Sequence, residues 1–301
     1  MIPLTVIGGF LGAGKTTLVN HLLRTAERRW GLLVNDFGAV HVDAALIADS
    51  NSDSIALANG CVCCAMGEDL GQALAQLAAR SPPPEHVIVE ASGVGDPWRI
   101  AQLALIEPGF SLEPLVVLAD ATAFRRQLDD RWIADTVRLQ LGHAELLLLA
   151  KSDLASDSDL ATVAAELARI RPATPIRRIV NGGVAASDLS FPVDPLSRPR
   201  PSRLHADTPL HPFGSWHWHP AAPIDRDRLR NVLEHLPPSV LRIKGIARFT
   251  PDDRLLLQYA ARRWAYAPAG DAPETGLVLI GTPDMPAPAA LQAIFTPTLA
   301  C

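Results

Sequence analysis

Cysteine is scarce in this chain. Only 4 of the 301 residues are cysteines, and three of the four lie between Cys61 and Cys64. That number and spacing exclude a disulfide framework and point instead to metal or redox chemistry. The net charge is -5 and no block of like charges is present. This charge pattern argues against nucleic acid as the main partner.

Long apolar runs are also missing. No run in the sequence approaches the roughly 20 residues that a membrane-crossing helix needs, so no membrane partner is expected. No basic leader precedes the first apolar run, and therefore no signal peptide is predicted. We expect a cytoplasmic protein.

What the chain does contain is a large share of hydrophobic residues, 48%, over a length that suggests one large domain or two smaller ones. In its first part, short apolar runs alternate with segments of helical periodicity. The predicted strands are 4–7, 32–34, 87–89, 115–118, 146–149 and 176–180, and the predicted helices are 17–29, 69–79, 98–106, 132–141 and 160–169. This alternation predicts an α/β fold with a doubly wound, mostly parallel sheet.

The composition changes after this region. Residues 191–212 are rich in proline, serine and arginine, have no periodicity and are predicted to form a linker. Beyond them the patterns predict a helix at 225–236 and strands at 214–219, 241–249, 254–266 and 277–280. The predicted organisation is a first domain at 1–190, a linker at 191–212 and a smaller α+β domain at 213–301.

The segment after the first predicted strand reads GFLGAGKTT at 9–17 and fits G-x-x-x-x-G-K-T, the phosphate-binding loop of nucleoside triphosphatases. Glycines let backbone N–H groups approach phosphate oxygens. Lys15 supplies a charge for the β- and γ-phosphates, and the Thr16 hydroxyl can ligate magnesium. The N-terminus of the following helix also faces the phosphates. The candidate nucleotide-binding residues here are Gly9, Gly12, Ala13, Gly14, Lys15, Thr16 and Thr17.

Four further stretches lie where a nucleotide enzyme needs them. They are VNDFG at 34–38, NGCVCC at 59–64, VIVEASG at 87–93 and LAKSDL at 149–154. Together with the phosphate loop, this ordered set resembles the CobW-like metal-chaperone GTPases, and the resemblance extends over nearly the whole chain. In the second domain, LRIKG at 241–245 and LVLIG at 277–281 are similar to segments of that family's C-terminal domain. The resemblance implies that the cysteine motif carries a transferable metal and that the nucleotide state controls it.

Glu90 ends an apolar strand beside the phosphate loop. A carboxylate there can hold magnesium, usually through water, or orient the attacking water. Lys15 and Glu90 are therefore the candidate catalytic residues, and Thr16 and Glu90 the candidate magnesium ligands. Gly93 can present its backbone N–H to the γ-phosphate, which makes 92–97 a candidate switch loop. No Ras-like glutamine or arginine finger is assigned, so slow intrinsic turnover is expected.

Asp153 is the candidate for recognition of guanine. Its carboxylate can accept hydrogen bonds from N1–H and the exocyclic amine, a pattern that adenine cannot match. Lys151 is expected to lie along the base. The family often has asparagine where this chain has Ala150, and the loss of that amide is expected to cost about 1 kcal/mol and to weaken the guanine preference. Asn181 and Gly182 are further candidates, to close over the base.

Cys61, Cys63 and Cys64 are the candidate metal ligands, because thiolates suit zinc, copper(I) and iron–sulfur chemistry. A site with two or three thiolates needs at least one outside ligand for tetrahedral zinc. The candidates for that ligand are Asp36, His41 and Asp43. In the family, glutamate is usual at the position of Asp36.

Histidines and tryptophans alternate from Trp216 to His219. On a strand, the two tryptophans share one face, where we expect them to pack in the core, and His217 and His219 share the other. These histidines are either an ordinary solvated face or an accessory metal site with His205 or His211. Cys301, at the chain end, is expected to be a bystander.

The sequence therefore predicts a GTP hydrolase that binds GTP, magnesium and a transition metal, and delivers the metal to an unidentified client metalloprotein. Zinc ranks first on thiolate softness and on the breadth of the family. Three alternatives stay open. The first is cobalt or iron in place of zinc, for cobalamin synthesis or nitrile hydratase. The second is an ATP-dependent small-molecule kinase, and the third is a metal-responsive module whose nucleotide is structural.

Overall fold

A computed structural model describes residues 1–35, 53–57, 66–194, 198, 213–269 and 275–300. These residues form two compact units, the first ending within the proline-rich segment and the second beginning after it. Each unit is built from the element types that the sequence predicts for it.

The first unit alternates strands with helices. Its strands are β1 (Ile2–Gly9), β2 (Trp30–Asn35), β3 (Asp53–Leu57), β4 (His86–Glu90), β5 (Phe110–Leu112), β6 (Val116–Asp120), β7 (Leu146–Ala150) and β8 (Ile176–Arg178). Its helices are α1 (Lys15–Thr25), α2 (Met66–Ala78), α3 (Pro97–Ile106), α4 (Phe124–Asp129), α5 (Ala134–Gly142) and α6 (Asp157–Ile170).

The strands form one parallel sheet in the order β3-β2-β4-β1-β6-β7-β8, and β5 pairs with the start of β1. In the centre, Ile7 lies opposite Glu90 of β4 and Val116 of β6. The later strands continue on both sides of β1. Since crossovers between parallel strands are almost always right-handed, this order is typical of a sheet with helices on both faces. The predicted doubly wound parallel sheet is confirmed.

Helix α1 shows how the core is built. Its apolar residues Leu18, Val19 and Leu22 recur at helical spacing and are buried in the cluster that contains the sheet residues. The helix was expected to continue to residue 29, but it ends at Thr25, and Ala26 is extended. Residues 27–29 are Glu-Arg-Arg, which offer no apolar contact to hold another turn.

Three short elements of this unit escape prediction. They are β3, β5 and α4, of five, three and six residues. An element this short does not complete two periods of a helical pattern or a clear strand alternation. The two strands extend the sheet, and none of the three elements changes the predicted fold class.

In the part of the second unit that the structure describes, five strands form an antiparallel sheet, and two helices accompany it. Its elements are β9 (Gly214–Trp218), α7 (Arg226–His235), β10 (Val240–Arg248), β11 (Arg254–Ala260), β12 (Arg263–Pro268), β13 (Gly276–Gly281) and α8 (Pro288–Phe295). The strand order is β12-β11-β10-β13-β9. Leu229 and Leu233 of α7 and Leu291 and Phe295 of α8 pack on the sheet residue Ile243 in one core. The predicted α+β character is confirmed.

The prediction of a single strand over 254–266 is wrong. The chain reverses at Ala261 and Arg262, whose φ angles are 51° and 62°, so that Ala260 lies opposite Arg263. Two successive positive φ angles are typical of a type I′ hairpin turn, which favours Asn-Gly or Asp-Gly. The pair Ala-Arg carries no such signal. Helix α8 was also missed, because the prolines that flank it resemble a loop.

Of the predicted linker, the structure describes residues 191–194 and 198. Phe191 packs against the core of the first unit. The guanidinium of Arg198 bonds the Glu145 carboxylate at 2.9 Å and the carbonyl oxygen of Leu112 at 3.1 Å. These two anchors belong to the first unit, and the domain limits at 190 and 213 stay a prediction. Within the described ranges, no helix has both the length and the apolar content to cross a membrane.

Candidate nucleotide site

The loop between β1 and α1 depends on glycine. Gly9, Gly12 and Gly14 have φ angles of 136°, 76° and 101°, a region that side chains rarely occupy. A Cβ at Gly9 would lie 2.7 Å from the carbonyl oxygen of Leu118 on β6. The loop therefore needs glycine both for its turns and for its close approach to the neighbouring strand.

Lys15 begins α1, and its ammonium folds back over the same loop. Its Nζ donates to the carbonyl oxygen of Gly9 at 2.9 Å and to that of Phe10 at 3.3 Å. The side chain is buried. This arrangement places a positive charge in the hollow of the loop, beside the N-terminus of a helix, where an anion is stabilised.

Glu90 lies at the end of β4, next to β1, as predicted. The Thr16 hydroxyl donates to Glu90 Oε1 at 3.0 Å, and Glu90 is only 5% exposed. A hydroxyl and a carboxylate oxygen side by side are hard-oxygen donors of the kind that magnesium prefers. The residues present thus fit a magnesium site at the mouth of the phosphate loop.

The segment 92–97 packs directly against the phosphate loop. A Cβ at Gly93 would lie 2.5 Å from Leu11 Cδ2 and 3.0 Å from Leu11 Cα. The Ser92 hydroxyl is buried and has no hydrogen-bond partner among the described residues. Since buried polar atoms are normally bonded, this hydroxyl is a donor that a ligand or a water can satisfy.

Gln140 of α5 bonds this segment and is not among the predicted site residues. Its Nε2 donates to the carbonyl oxygen of Gly95 at 2.7 Å and to that of Gly93 at 3.3 Å. The residue is 1% exposed. A signal was present, because Gln140 lies on the face of α5 that buries Val137 and Leu141, and a polar residue on an apolar face requires a partner.

Lys151 joins the phosphate loop to the loop after β7. Its Nζ donates to the carbonyl oxygen of Gly12 at 2.7 Å and to Asp120 Oδ2 at 2.6 Å. Asp120 is 1% exposed, and its other oxygen accepts from the backbone N–H and the hydroxyl of Thr122. Asp120 was not predicted as a site residue. The sequence did carry a signal for it, because Asp120 ends an apolar strand at the same sheet edge as Glu90, where functional residues gather.

The remaining predicted base contacts lie in the loops that follow β7 and β8. Asp153 is exposed on a short 3-10 turn (Ser152–Leu154), which leaves its carboxylate accessible to a base. Ala150 is buried in the core cluster. Gly182 lies against α1, since a Cβ there would be 2.8 Å from Leu18 Cα, and Asn181 is exposed. The structure thus brings the 181–182 loop to the start of α1.

The predicted metal ligands lie outside the described residues. They are Asp36, His41, Asp43, Cys61, Cys63 and Cys64, and the same holds for His205, His211 and Cys301. Among the residues that are described, no group of three His, Cys, Asp or Glu side chains could hold a metal ion.

The alternation on β9 is as predicted. Trp216 and Trp218 contact the Phe295 ring, at centroid distances of 5.8 Å and 5.1 Å, and so pack in the second core. His217 pairs with Val278, and His219 follows the strand and is exposed. The tryptophan prediction is confirmed, and an accessory metal site at the histidines stays a prediction.

One perturbed histidine lies at the opposite end of β4 from Glu90. Burial lowers the pKa of His86 to about 4 from its usual 6.5. Its ring stacks on Trp30 with centroids 4.5 Å apart, and Nε2 lies 2.9 Å from the Thr5 hydroxyl. Because catalytic groups gather at the carboxyl ends of parallel strands, we assign His86 to the core rather than to the site.

Comparison with known families places both units. Residues 3–178 match the family described as CobW/HypB/UreG, nucleotide-binding domain, and residues 213–298 match the cobalamin synthesis protein cobW C-terminal domain. The chain is 33% identical to a zinc chaperone CobW of Sinorhizobium sp, covering 97% of this chain and 96% of that one.

Other relatives align over similar lengths. The zinc chaperone YjiA of Escherichia coli is 29% identical, with 93% of this chain and 94% of that one covered. A crystal structure of Zn(II)-bound YjiA GTPase from E. coli covers 99% of both chains at 26% identity, with a TM-score of 0.49.

Proposed function

Because this chain belongs to the CobW/HypB/UreG family, we propose that it hydrolyses GTP and couples hydrolysis to delivery of zinc to a client metalloprotein. The single observation that carries the hydrolase part is the convergence of Lys15, Thr16 and Glu90 on the phosphate loop. Cobalt or iron remains the alternative cargo. We assign the protein to the cytoplasm.

The proposed chemistry is positioning and charge stabilisation. Lys15 and the loop amides bind the β- and γ-phosphates, and Gly93 presents its N–H to the γ-phosphate. Thr16 and Glu90 would hold magnesium. When bound, the ion would supply the positive charge that stabilises negative charge developing on the phosphate oxygens. Glu90 also orients the attacking water.

Guanine recognition is assigned to Asp153 and Lys151. The exposed carboxylate of Asp153 accepts from the guanine edge, and the stem of Lys151 lies along the base. The missing asparagine amide at Ala150 is offset in part by Asp120, which already holds the lysine through a bond of 2.6 Å. We therefore expect this chain to prefer guanine over adenine although it has Ala150 in place of the family's asparagine.

The metal part of the proposal rests on the cysteine motif and on the relatives. Two aligned relatives are zinc chaperones that match nearly their full length. We assign Cys61, Cys63 and Cys64 as zinc ligands, with Asp36 or His41 completing the set. Zinc is here the cargo, and the nucleotide state sets how tightly it is held.

The test is zinc affinity by chelator competition, with magnesium plus a GTP analogue, GDP or an ATP analogue. We expect Cys63→Ser/Cys64→Ser to lose at least tenfold in affinity, and Cys301→Ser, the cysteine outside the motif, to match the wild type. Wild-type zinc affinity should differ between GTP analogue and GDP, and zinc must then shift nucleotide affinity by the same factor. Zinc binding indifferent to nucleotide and to Cys63 would refute the chaperone function.

A further inference from the structure

We propose that Gln140 is the positioning residue of the switch loop at 92–97 and sets the preference for GTP over GDP, an inference that rests on the proposed GTPase function. The side-chain amide of glutamine carries two hydrogens. The Nε2 atom that carries them donates to two carbonyl oxygens of this loop, that of Gly95 at 2.7 Å and that of Gly93 at 3.3 Å.

These two bonds fix the orientation of two peptide planes. In a trans peptide the C=O and the N–H point in opposite directions, so the N–H groups of Val94 and Asp96 are directed away from α5. Between the two carbonyls, Gly95 N–H closes a turn onto Ser92 O at 3.1 Å. Gln140 thus determines which way the backbone of this turn faces.

The same helix holds the far end of the loop. His143 follows α5 directly, and its Nδ1 lies 3.3 Å from Asp96 Oδ1. Asp96 also accepts from the Trp98 N–H at 2.9 Å and so caps α3. The loop is therefore attached to α5 through Gln140 and through His143.

The attached loop is the one docked on the phosphate loop. Gly93 approaches Leu11 so closely that a Cβ would lie 2.5 Å from the leucine side chain, and Thr16 is bonded to Glu90, which ends β4 just before this loop. The arrangement that Gln140 stabilises is the one in which Gly93 packs against the phosphate loop, where its N–H is proposed to meet the γ-phosphate. Loss of Gln140 should therefore weaken binding of a γ-phosphate and spare binding of GDP.

The experiment compares wild type with Gln140→Met and Gln140→Glu. Methionine keeps the length of the side chain but donates nothing, and glutamate places an acceptor against two carbonyl oxygens. Thr136→Val, an isosteric change at a buried position one turn earlier on α5, is the matched control. For each protein, GDP and GTP-analogue dissociation constants and the kcat and KM for GTP are measured, with thermal unfolding as a check of folding.

We expect both Gln140 variants to bind GDP within twofold of wild type and to lose about tenfold in GTP-analogue affinity, the scale of one to two neutral hydrogen bonds. The kcat should fall at least tenfold, with Glu more affected than Met, and Thr136→Val should behave as wild type. An unchanged ratio of GTP-analogue to GDP affinity would overturn the proposal, whether both affinities stay at the wild-type value or both fall by the same factor. Wild type that fails to hydrolyse GTP would instead refute the proposed function.

Discussion

Replacing Asp120 with asparagine should weaken GDP binding about tenfold, because the carboxylate accepts on both of its oxygens. Lys151 Nζ lies 2.6 Å from one oxygen, and the Thr122 N–H and hydroxyl lie 2.8 Å and 2.7 Å from the other. Asparagine has one acceptor oxygen. Either Lys151 or Thr122 must therefore lose its partner.

The size of the effect follows from the burial of the pair. A hydrogen bond to a charged group contributes about 1.5–3 kcal/mol, and each 1.4 kcal/mol is a factor of ten in affinity. Asp120 is 1% exposed, but the side chain of Lys151 is 29% exposed, so water replaces part of the lost bond. We therefore expect the lower end of the range, about 1.5 kcal/mol, in GDP affinity.

The assay is equilibrium titration with a fluorescent GDP, together with urea unfolding. Thr122→Val is the control, because it removes one donor to Asp120 and leaves the bond to Lys151 intact; its GDP affinity should stay within twofold of wild type. If Asp120→Asn binds GDP as tightly as wild type while Lys151→Ala does not, Lys151 supports GDP binding without its carboxylate partner, and the role given to Asp120 is refuted.

Three other predictions concern single positions. Glu90→Gln should lower kcat for GTP about a hundredfold and raise the magnesium requirement, and a kcat unchanged under magnesium titration would contradict its assignment. Gly182 has a φ of 74°, and a Cβ there would lie 2.8 Å from backbone atoms of α1, so Gly182→Ala should lower the free energy of unfolding in urea by about 1–3 kcal/mol. Gly142 has open space around it, and Gly142→Ala should change the same free energy by less than about 1 kcal/mol. The pKa of His86 is lowered to about 4 in the folded protein. Between pH 6.5 and pH 4, His86 is therefore mostly protonated in the unfolded chain and mostly neutral in the folded one. Stability that is complete at pH 7 should fall by up to about 3 kcal/mol between pH 6.5 and pH 4, and His86→Gln should show a shallower decline.

The long, strongly patterned elements could be predicted from the sequence. The apolar runs at 4–7 and 146–149 lie within β1 and β7, and the phosphate loop lies between β1 and α1 as its spacing requires. Each apolar run is followed at a fixed distance by the Gly or Lys residues of a motif. The local sequence therefore indicates the same structure as the whole fold requires.

The missed features depend on contacts far along the chain or on turns without their usual residues. Gln140 gains its role from Gly93, 47 positions away, and Asp120 from Lys151, 31 positions away. A short window of sequence does not contain both members of such a pair. The hairpin at Ala261 and Arg262 lacks glycine and asparagine, so no local signal marks it.

The central place of β1 has a consequence for how the chain folds during synthesis. This strand is made before its partners, because β4, its neighbour on one side, ends at Glu90, and β6, its neighbour on the other, ends at Asp120. At 5–20 residues per second, the ribosome needs roughly 4–16 s to supply the first of these partners. An apolar strand that waits this long without a partner is open to mispairing with other chains, because parallel sheets form late and expose their edges while they do so. The nascent chain is therefore expected to depend on chaperones before it can bind any nucleotide.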